Sequence, residues 1–259
     1  MNLFFDQSLG QNYRSPAQIS RVLTENWLGK NAYCPNCGAS PIAAFENNHP
    51  VGDFYCAVCF EQYELKSKNA FTIGKQINDG AYKTMIERIT AEDNPNFFFL
   101  SYQKSDFSVQ QLVLIPKHFF TTEMIVPRKP LAQSARRAGW VGCIIDLSIV
   151  PQSGKILLVD NAQVIPRAQV QQQWQEHLFL REQSHKQRGW LLAVMQLIER
   201  IKAEEFSIQE MYAFEPLLQK QFPNNRNIQA KIRQQLQILR DRHVIEFTAR
   251  GRYRKLIQR

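Results

Sequence analysis

Nothing in the 259 residues approaches the ~18 consecutive apolar positions of a membrane-spanning helix. The opening Met-Asn-Leu-Phe-Phe-Asp carries neither a basic leader nor an extended apolar stretch. The expectation is a globular chain in the cytoplasm, with no membrane partner. Cysteine is scarce, and its five copies are an odd number, a poor basis for a disulfide framework in a reducing compartment. Absent too are the phosphate-cradling P-loop, the His-Glu-x-x-His pair and the Gly-x-Gly-x-x-Gly turn, so a nucleotide cofactor and zinc-catalysed hydrolysis have no support. No internal repeat is evident, and the glutamine cluster at 169–175 is too short for a low-complexity segment.

What is present is a chain with 44% apolar and 21% charged residues, enough for one large core or two modest ones. The charge is unevenly placed. Residues 1–183 hold 17 Lys and Arg against 16 Asp and Glu, whereas residues 184–259 hold 15 against 7, so +8 of the net +9 falls in the last 76 residues. A basic excess confined to one segment is the footprint of a polyanion partner, and nucleic acid is the commonest; an anionic membrane surface is the lesser option.

A first helix is signed by Ser15 as N-cap and Pro16 at its first position, with Ile19, Val22, Leu23 and Trp27 on one face; it should end near Gly29. A second is expected from about Asp79, carrying Tyr82, Met85, Ile86 and Ile89 up to the Asn-Pro-Asn break. Four strand-like runs follow, at 96–102, 111–116, 140–147 and 155–160, each short, β-branched or aromatic, and bounded by turn formers. A mixed sheet flanked by helices accounts for this order. Near residues 181–188 the text turns polar, and a boundary there separates residues 1–182 from 183–259. The second part reads as helices over Trp190–Ile201, Ser207–Gln221 and Asn227–Arg242, then a hairpin around Arg250-Gly251. Glu210 completes a capping box with Ser207. Three helices and a two-stranded wing make a winged helix-turn-helix.

The segment 52–68, GDFYCAVCFEQYELKSK, interleaves ligands for two kinds of ion. Cys34, Cys37, Cys56 and Cys59 follow C-x₂-C-x₁₈-C-x₂-C, the spacing of a four-thiolate structural zinc site. Redox pairs or free thiols are the alternative, but a redox motif seldom comes twice at this spacing. Pro35 stiffens the first knuckle and Gly38 permits its tight turn. Four protein ligands fill a tetrahedron, so this zinc holds structure and leaves no open position. Cys143 stands apart and reads as a core residue.

Asp53, Glu64 and Lys66 form the other set. An acidic residue some ten positions before Glu-x-Lys suits a Mg²⁺ nuclease of the PD-(D/E)-x-K type, in which carboxylates from adjoining strands hold the ion against a phosphate. The alternative is a solvated strand face. Period-two alternation puts Glu64 and Lys66 on one face and Leu65 on the core side, anchored with Phe54. The second zinc knuckle then becomes the connection between the two strands that carry the magnesium ligands, so that one ion is scaffold and the other does chemistry.

The stretches YCPNCG, FENN, DFYC with ELKSK, INDGAY, NPNFFFL, RKPLA with ARRAGW, IRQQLQILRD and YRKL run from end to end of the chain. In them it closely resembles the methyl-directed type II, subtype M restriction endonucleases, which cut GATC only when its adenine is N6-methylated. The resemblance implies a mixed-sheet, α+β PD-(D/E)-x-K core with an inserted zinc ribbon, followed by a winged helix. It implies Mg²⁺-dependent hydrolysis of both strands of methylated GATC, leaving 5′-phosphate ends, by a monomer. Asp53, Glu64 and Lys66 match the catalytic motif, and the four cysteines match the zinc ligands. One departure from the wider superfamily is Gly52 directly before Asp53, with Pro50 three positions before it.

Requiring a methyl group is hard for one pocket, since burying it contributes ~0.8 kcal/mol by area and a shaped pocket reaches ~1–3 kcal/mol. Reading of the site by both domains is therefore expected. In the third C-terminal helix Ile228, Ile232, Leu236 and Leu239 form the apolar stripe, which turns Ala230, Arg233, Gln234 and Gln237 towards the groove. Arg suits guanine, Gln suits adenine, and Ala230 leaves room for a methyl. Arg250, Arg252, Arg254 and Lys255 in the wing would grip phosphate. In the first domain Arg136, Arg137 and Trp140 are the candidates for contacting DNA, with Trp140 either a wall of a methyl-sensing pocket or an ordinary core tryptophan. A DNA-binding regulator without nuclease activity, and a nuclease of different specificity, are the competing readings.

Overall fold

A computed structural model describes residues 1–46, 52–91 and 93–256, and the chain divides into two compact units. The first comprises Met1–Ser148 with Gly154–Leu178; the second comprises Ile149–Ser153 with Phe179–Arg259. Pro50, and Asn47 and Asn48 of the FENN stretch, lie outside the described residues.

The first unit runs α1 (Pro16–Asn31), β1 (Ala43–Ala44), β2 (Phe54–Tyr55), β3 (Gln62–Asn69), β4 (Gln76–Ala81), α2 (Tyr82–Thr90), β5 (Asn96–Gln103), β6 (Ser108–Ile115), β7 (Ile125–Pro127), β8 (Gly142–Asp146), β9 (Ile156–Asp160), β10 (Gln163–Val164) and α3 (Arg167–Glu176). Helix α1 opens on Pro16 as read from the sequence and buries Leu23 and Trp27. It runs two residues beyond Gly29, where the Asn31 side chain donates to Trp27 O at 3.0 Å and accepts from Asn2 N at 2.8 Å.

A seven-stranded sheet has the order β1-β2-β3-β5-β6-β9-β10. Only β3 and β5 run parallel among its described pairings, Tyr63 to Asn69 lying opposite Asn96 to Tyr102, and the others are antiparallel. A parallel pair needs a crossover, which β4 and α2 supply. Strand β5 is covered on both faces, so its NFFFLSY reads as continuous apolar text rather than alternation. Leu28, Phe54, Tyr63, Phe98, Leu100, Leu112, Leu158 and Trp174 are among the buried side chains of the core that α1 and α3 share with this sheet.

A second sheet, β4-β8-β7, is antiparallel throughout. Here the structure corrects the sequence reading: Asp79 lies in strand β4, and helix α2 begins three residues later at Tyr82. Pairing with β8, 64 residues downstream at the Asp79–Cys143 register, captures backbone that periodicity assigned to the helix. Cys143 is fully buried, as its isolation suggested.

The second unit contains α4 (His185–Arg200), β11 (Glu205–Ser207), α5 (Ile208–Tyr212), α6 (Glu215–Gln221), α7 (Ile228–Asp241), β12 (Ile245–Ala249) and β13 (Arg252–Lys255). The single helix expected over Ser207–Gln221 is two short ones. Pro216 falls in the first turn of α6, where a proline is tolerated, and in a continuous helix it would lack a donor and clash with the preceding turn. The Ser207–Glu210 capping box is present, with Glu210 N 3.2 Å from Ser207 Oγ. Helix α4 starts earlier than Trp190 because Ser184 and Gln187 form another capping box. The wing has a third strand, in the order β11-β13-β12. Ile228, Ile232, Leu236 and Leu239 are all buried, so the apolar stripe of α7 faces the core of this unit. This unit is a winged helix-turn-helix.

Candidate active site and four-thiolate cluster

Both knuckles are short backbone loops closed on themselves. In the first, Gly38 N donates to Cys34 O and Cys34 N to Ala39 O, each at 2.8 Å; in the second, Phe60 N donates to Cys56 O at 2.9 Å and Cys56 N to Glu61 O at 2.8 Å. The four Sγ atoms lie within 4.8 Å of one another, with Cys34–Cys59 at 3.4 Å and Cys37–Cys56 at 3.5 Å. A tetrahedron with ~2.3 Å metal–sulfur bonds has edges of ~3.8 Å, so the cluster is of the size a zinc ion fills. The thiols are not alike. Burial pushes Cys34 well up, whereas at Cys56 the backbone N–H groups of Cys59 and Val58 outweigh burial and bring the thiol down to about 7.

Gly38 has φ +79°, and the residue in the same place of the second knuckle is Phe60 at φ +60°. Phe60 is 77% exposed, so no packing compensates a conformation that costs a side-chain-bearing residue ~1–2 kcal/mol. Phe60→Gly is expected to stabilise the protein by about 0.5–1 kcal/mol after the glycine's larger unfolded-state entropy is deducted. A urea midpoint that falls would contradict this.

The second knuckle joins β2 to β3, which pair with Phe54 opposite Tyr63 and Tyr55 opposite Gln62. Asp53 immediately precedes β2. Its N–H donates to Tyr63 O at 2.8 Å, and its carboxylate accepts from Leu65 N at 2.8 Å. The carboxylate is thus pinned to the backbone between Glu64 and Lys66. Tyr63 connects the two sites, because its hydroxyl touches Cys34 Sγ at 3.0 Å while its carbonyl holds Asp53.

Glu64 and Lys66 share a face of β3, and Leu65 packs against the core on the other. Lys66 Nζ sits 2.6 Å from Glu64 Oε1 and 2.5 Å from Asp79 Oδ1, while Arg88 of α2 lies 2.9 Å from Glu64 Oε2. All four side chains are at most 20% exposed, which rules out a solvated strand face. Burial alone would push the Lys66 ammonium down, but Glu64 and Asp79 outweigh it and hold it well above the ordinary lysine value. Asp79 and Arg88 went unread in the sequence. Their signal was faint, an acidic residue in INDGAY and a basic one at the end of the following helix.

Among the described residues the four cysteines are the one group of three or more Cys, His, Asp and Glu side chains gathered closely enough to hold a metal. Asp53 and Glu64 offer two carboxylates, a donor set that fits Mg²⁺, which prefers hard oxygen ligands and keeps several waters.

Arg136 and Arg137 are exposed on the loop between β7 and β8. Trp140 is half-buried rather than part of the core, with the Arg137 guanidinium 4.7 Å from its ring centroid and Gly142 beneath it. A Cβ at Gly142 would come within 2.9 Å of the indole, so this glycine leaves room for the ring edge against β8. In α7, Ala230, Arg233, Gln234 and Gln237 are all exposed. Arg233 donates to the Tyr212 hydroxyl, and Gln234 accepts from Lys231 at 2.7 Å. Arg250 and Arg252 are exposed at the wing turn. Arg254 instead bridges Glu205 on β11 and Glu246 on β12 at 2.6 and 2.8 Å, and Lys255 donates to Ile201 O just past α4. Those two cations brace the wing.

A mixed α+β sheet presenting an Asp, Glu, Lys set beside four clustered thiols, in a chain that ends in a winged helix-turn-helix, has the build of a nuclease that handles DNA. The chain belongs to the Dam-replacing family: the model of that family matches residues 1–183, and the model of the Dam-replacing HTH domain matches residues 186–255. This is the likeness to methyl-directed GATC restriction endonucleases that the sequence motifs carried. Among the described residues no helix is long and apolar enough to cross a membrane.

Proposed function

We propose that the protein is a Mg²⁺-dependent type II restriction endonuclease that hydrolyses both strands of double-stranded DNA at GATC when the adenine is N6-methylated. It works in the cytoplasm as a monomer without a nucleotide cofactor, with residues 1–182 as the endonuclease domain and 183–259 as a second reader. The observation that carries this is the Asp53 carboxylate hydrogen-bonded to the backbone between Glu64 and Lys66, with those two side chains paired on one buried face.

Asp53 and Glu64 would hold Mg²⁺, which would supply Lewis-acid polarisation of the phosphate and a more acidic water. Asp53 is aimed by the Leu65 N–H, so its orientation does not depend on the ligand. Lys66, held as a cation, orients the attacking water by donating a hydrogen bond to its oxygen, and offsets the charge that grows on the phosphate oxygens. Water oxygen bonds to phosphorus as the P–O3′ bond breaks; the water's proton passes to solvent, and the 3′ oxygen takes a proton from solvent and leaves as a hydroxyl, with the phosphate retained on the 5′ side. Phe54, Tyr63 and Leu65 exclude water from beneath the hairpin.

Discrimination of one methyl by roughly 10–200-fold per pocket multiplies when two domains read it. Trp140, with Arg136 and Arg137, is the reader in the first domain. In the second, Ala230, Arg233, Gln234 and Gln237 face the bases, and Arg250 and Arg252 hold phosphate. Trp140→Ala is expected to lower the preference for methylated over unmethylated DNA by about 10-fold or more with the melting transition retained; a folded variant of unchanged preference removes the indole from the reading. Parallel digests of methylated and unmethylated plasmid, with and without Mg²⁺, test the whole. Cutting of the methylated plasmid alone is expected. Equal cutting of both would mean a nuclease of another specificity, and a shifted but intact band would mean a regulator.

A further inference from the structure

Asp79 contributes one of the two carboxylates on the Lys66 ammonium, and it comes from a different sheet than the catalytic strand. Its strand, β4, pairs with β8 in regular register from Gln76–Asp146 to Asp79–Cys143, then slips so that Ala81 lies opposite Gly142. The residue left over is Gly80, whose missing Cβ would meet nothing within 4 Å. Neither space nor a left-handed φ demands a glycine there; what matters is the irregular register. A bulge of this kind turns the neighbouring side chain out of the strand's alternation, and here it delivers the Asp79 carboxylate to Lys66 Nζ at 2.5 Å. The Asp79 side chain is only 12% exposed, so the ion pair sits where removing one partner leaves the other charge uncompensated.

We infer that Asp79 is a positioning residue, which holds the Lys66 ammonium against Glu64 and so sets where that cation meets the scissile phosphate. This rests on the endonuclease reading and goes beyond it. Asp79 is not read as a third metal ligand: it is not gathered with Asp53 and Glu64 into any ligand group among the described residues, and its Oδ1 lies on Lys66. Glu64 alone cannot fix the ammonium, because Glu64 also answers to Arg88, and a long flexible side chain with one anchor samples several rotamers. Two anchors from two sheets leave it one place.

The test compares wild type, Asp79→Asn, Asp79→Glu and, as the control for the reaction itself, Asp53→Ala. At saturating Mg²⁺ the single-turnover cleavage rate of Asp79→Asn is expected to fall roughly 100-fold, the scale of a misplaced catalytic group. The Mg²⁺ concentration for half-maximal rate and the affinity for methylated duplex should stay within about twofold of wild type. A near wild-type rate overturns the proposal, and so does a rate that extra Mg²⁺ restores, which is the mark of a lost ligand. Asp79→Glu, which keeps the charge but moves it by one methylene, should be slowed as well, and it takes the place of Asp79→Asn if that variant melts below the assay temperature. A second readout needs no cleavage: acylation of lysines followed by mass spectrometry should find Lys66 protected in wild type and modified in the Asp79 variants, and equal protection also overturns the proposal. If wild type itself leaves methylated DNA uncut, the endonuclease reading fails while the acylation experiment still decides what Asp79 does.

Discussion

Asp53→Ala is expected to abolish cleavage of methylated GATC DNA, by about 10³-fold or more, and to leave DNA affinity within a few-fold. The size follows from the role. Asp53 supplies one of the two carboxylates in the proposed Mg²⁺ site, and among the described residues Asp79, whose Oδ1 is on Lys66, is not gathered with Asp53 and Glu64 into a ligand group. Folding should survive. The Asp53 side chain is partly exposed and among the described residues accepts one hydrogen bond, from Leu65 N, while the backbone bonds of the hairpin, from Asp53 N to Tyr63 O and Phe45 N to Asp53 O, do not involve its carboxylate. Gel shift and cleavage on the same methylated duplex check the result. Loss of binding and melting together would mean that Asp53 serves the fold.

Removing the metal from the four-cysteine cluster is expected to be as severe, by another route. Structural zinc contributes on the order of 10–16 kcal/mol in small zinc-dependent folds, comparable with the whole stability of an ordinary domain. Here the cluster closes both knuckles and abuts Tyr63, whose carbonyl holds Asp53. Zinc chelation, or Cys56→Ser, should therefore take away the cooperative melting of the first unit and all cleavage with it. The second unit has its own core, around Trp190, Leu191, Ile232, Leu236 and Tyr253, and should keep its helical signal. Metal analysis of the purified protein gives the complement: about one zinc per chain is expected, and a metal-free protein that melts normally and cuts DNA would refute the scaffold role. The lowered Cys56 thiol favours the deprotonated form that binds metal.

Legibility followed the range of the interactions. The two knuckles were readable because a four-thiolate site is a matter of chain spacing, and the second one's connection of β2 to β3 followed from Asp53 and Glu64 flanking it. The β5 and β6 segments and the apolar stripe of α7 were readable because burial on two faces or on one leaves its own period in the text. Asp79 was misassigned to a helix, and Arg88 passed unremarked, because both act through partners far along the chain. Pro216 carries the break between α5 and α6 in its own chemistry, since a proline inside a helix has no donor. Arg254 and Lys255 looked like four wing cations with Arg250 and Arg252, yet acids on β11 and β12 and a carbonyl beyond α4 occupy them.

Sequence alone therefore determined the order of the parts: a mixed-sheet domain with four spaced cysteines, an Asp, Glu, Lys triplet threaded through them, and a basic helix-turn-helix to follow. These are properties of neighbours and of periodic burial, which local chemistry dictates. Only the tertiary structure decided how the triplet is held, with Tyr63 wedged between thiol and aspartate and Lys66 clasped between strands of two sheets. A buried charge takes its character from whichever charges the fold brings within a few ångströms, and those lie at no fixed distance along the chain.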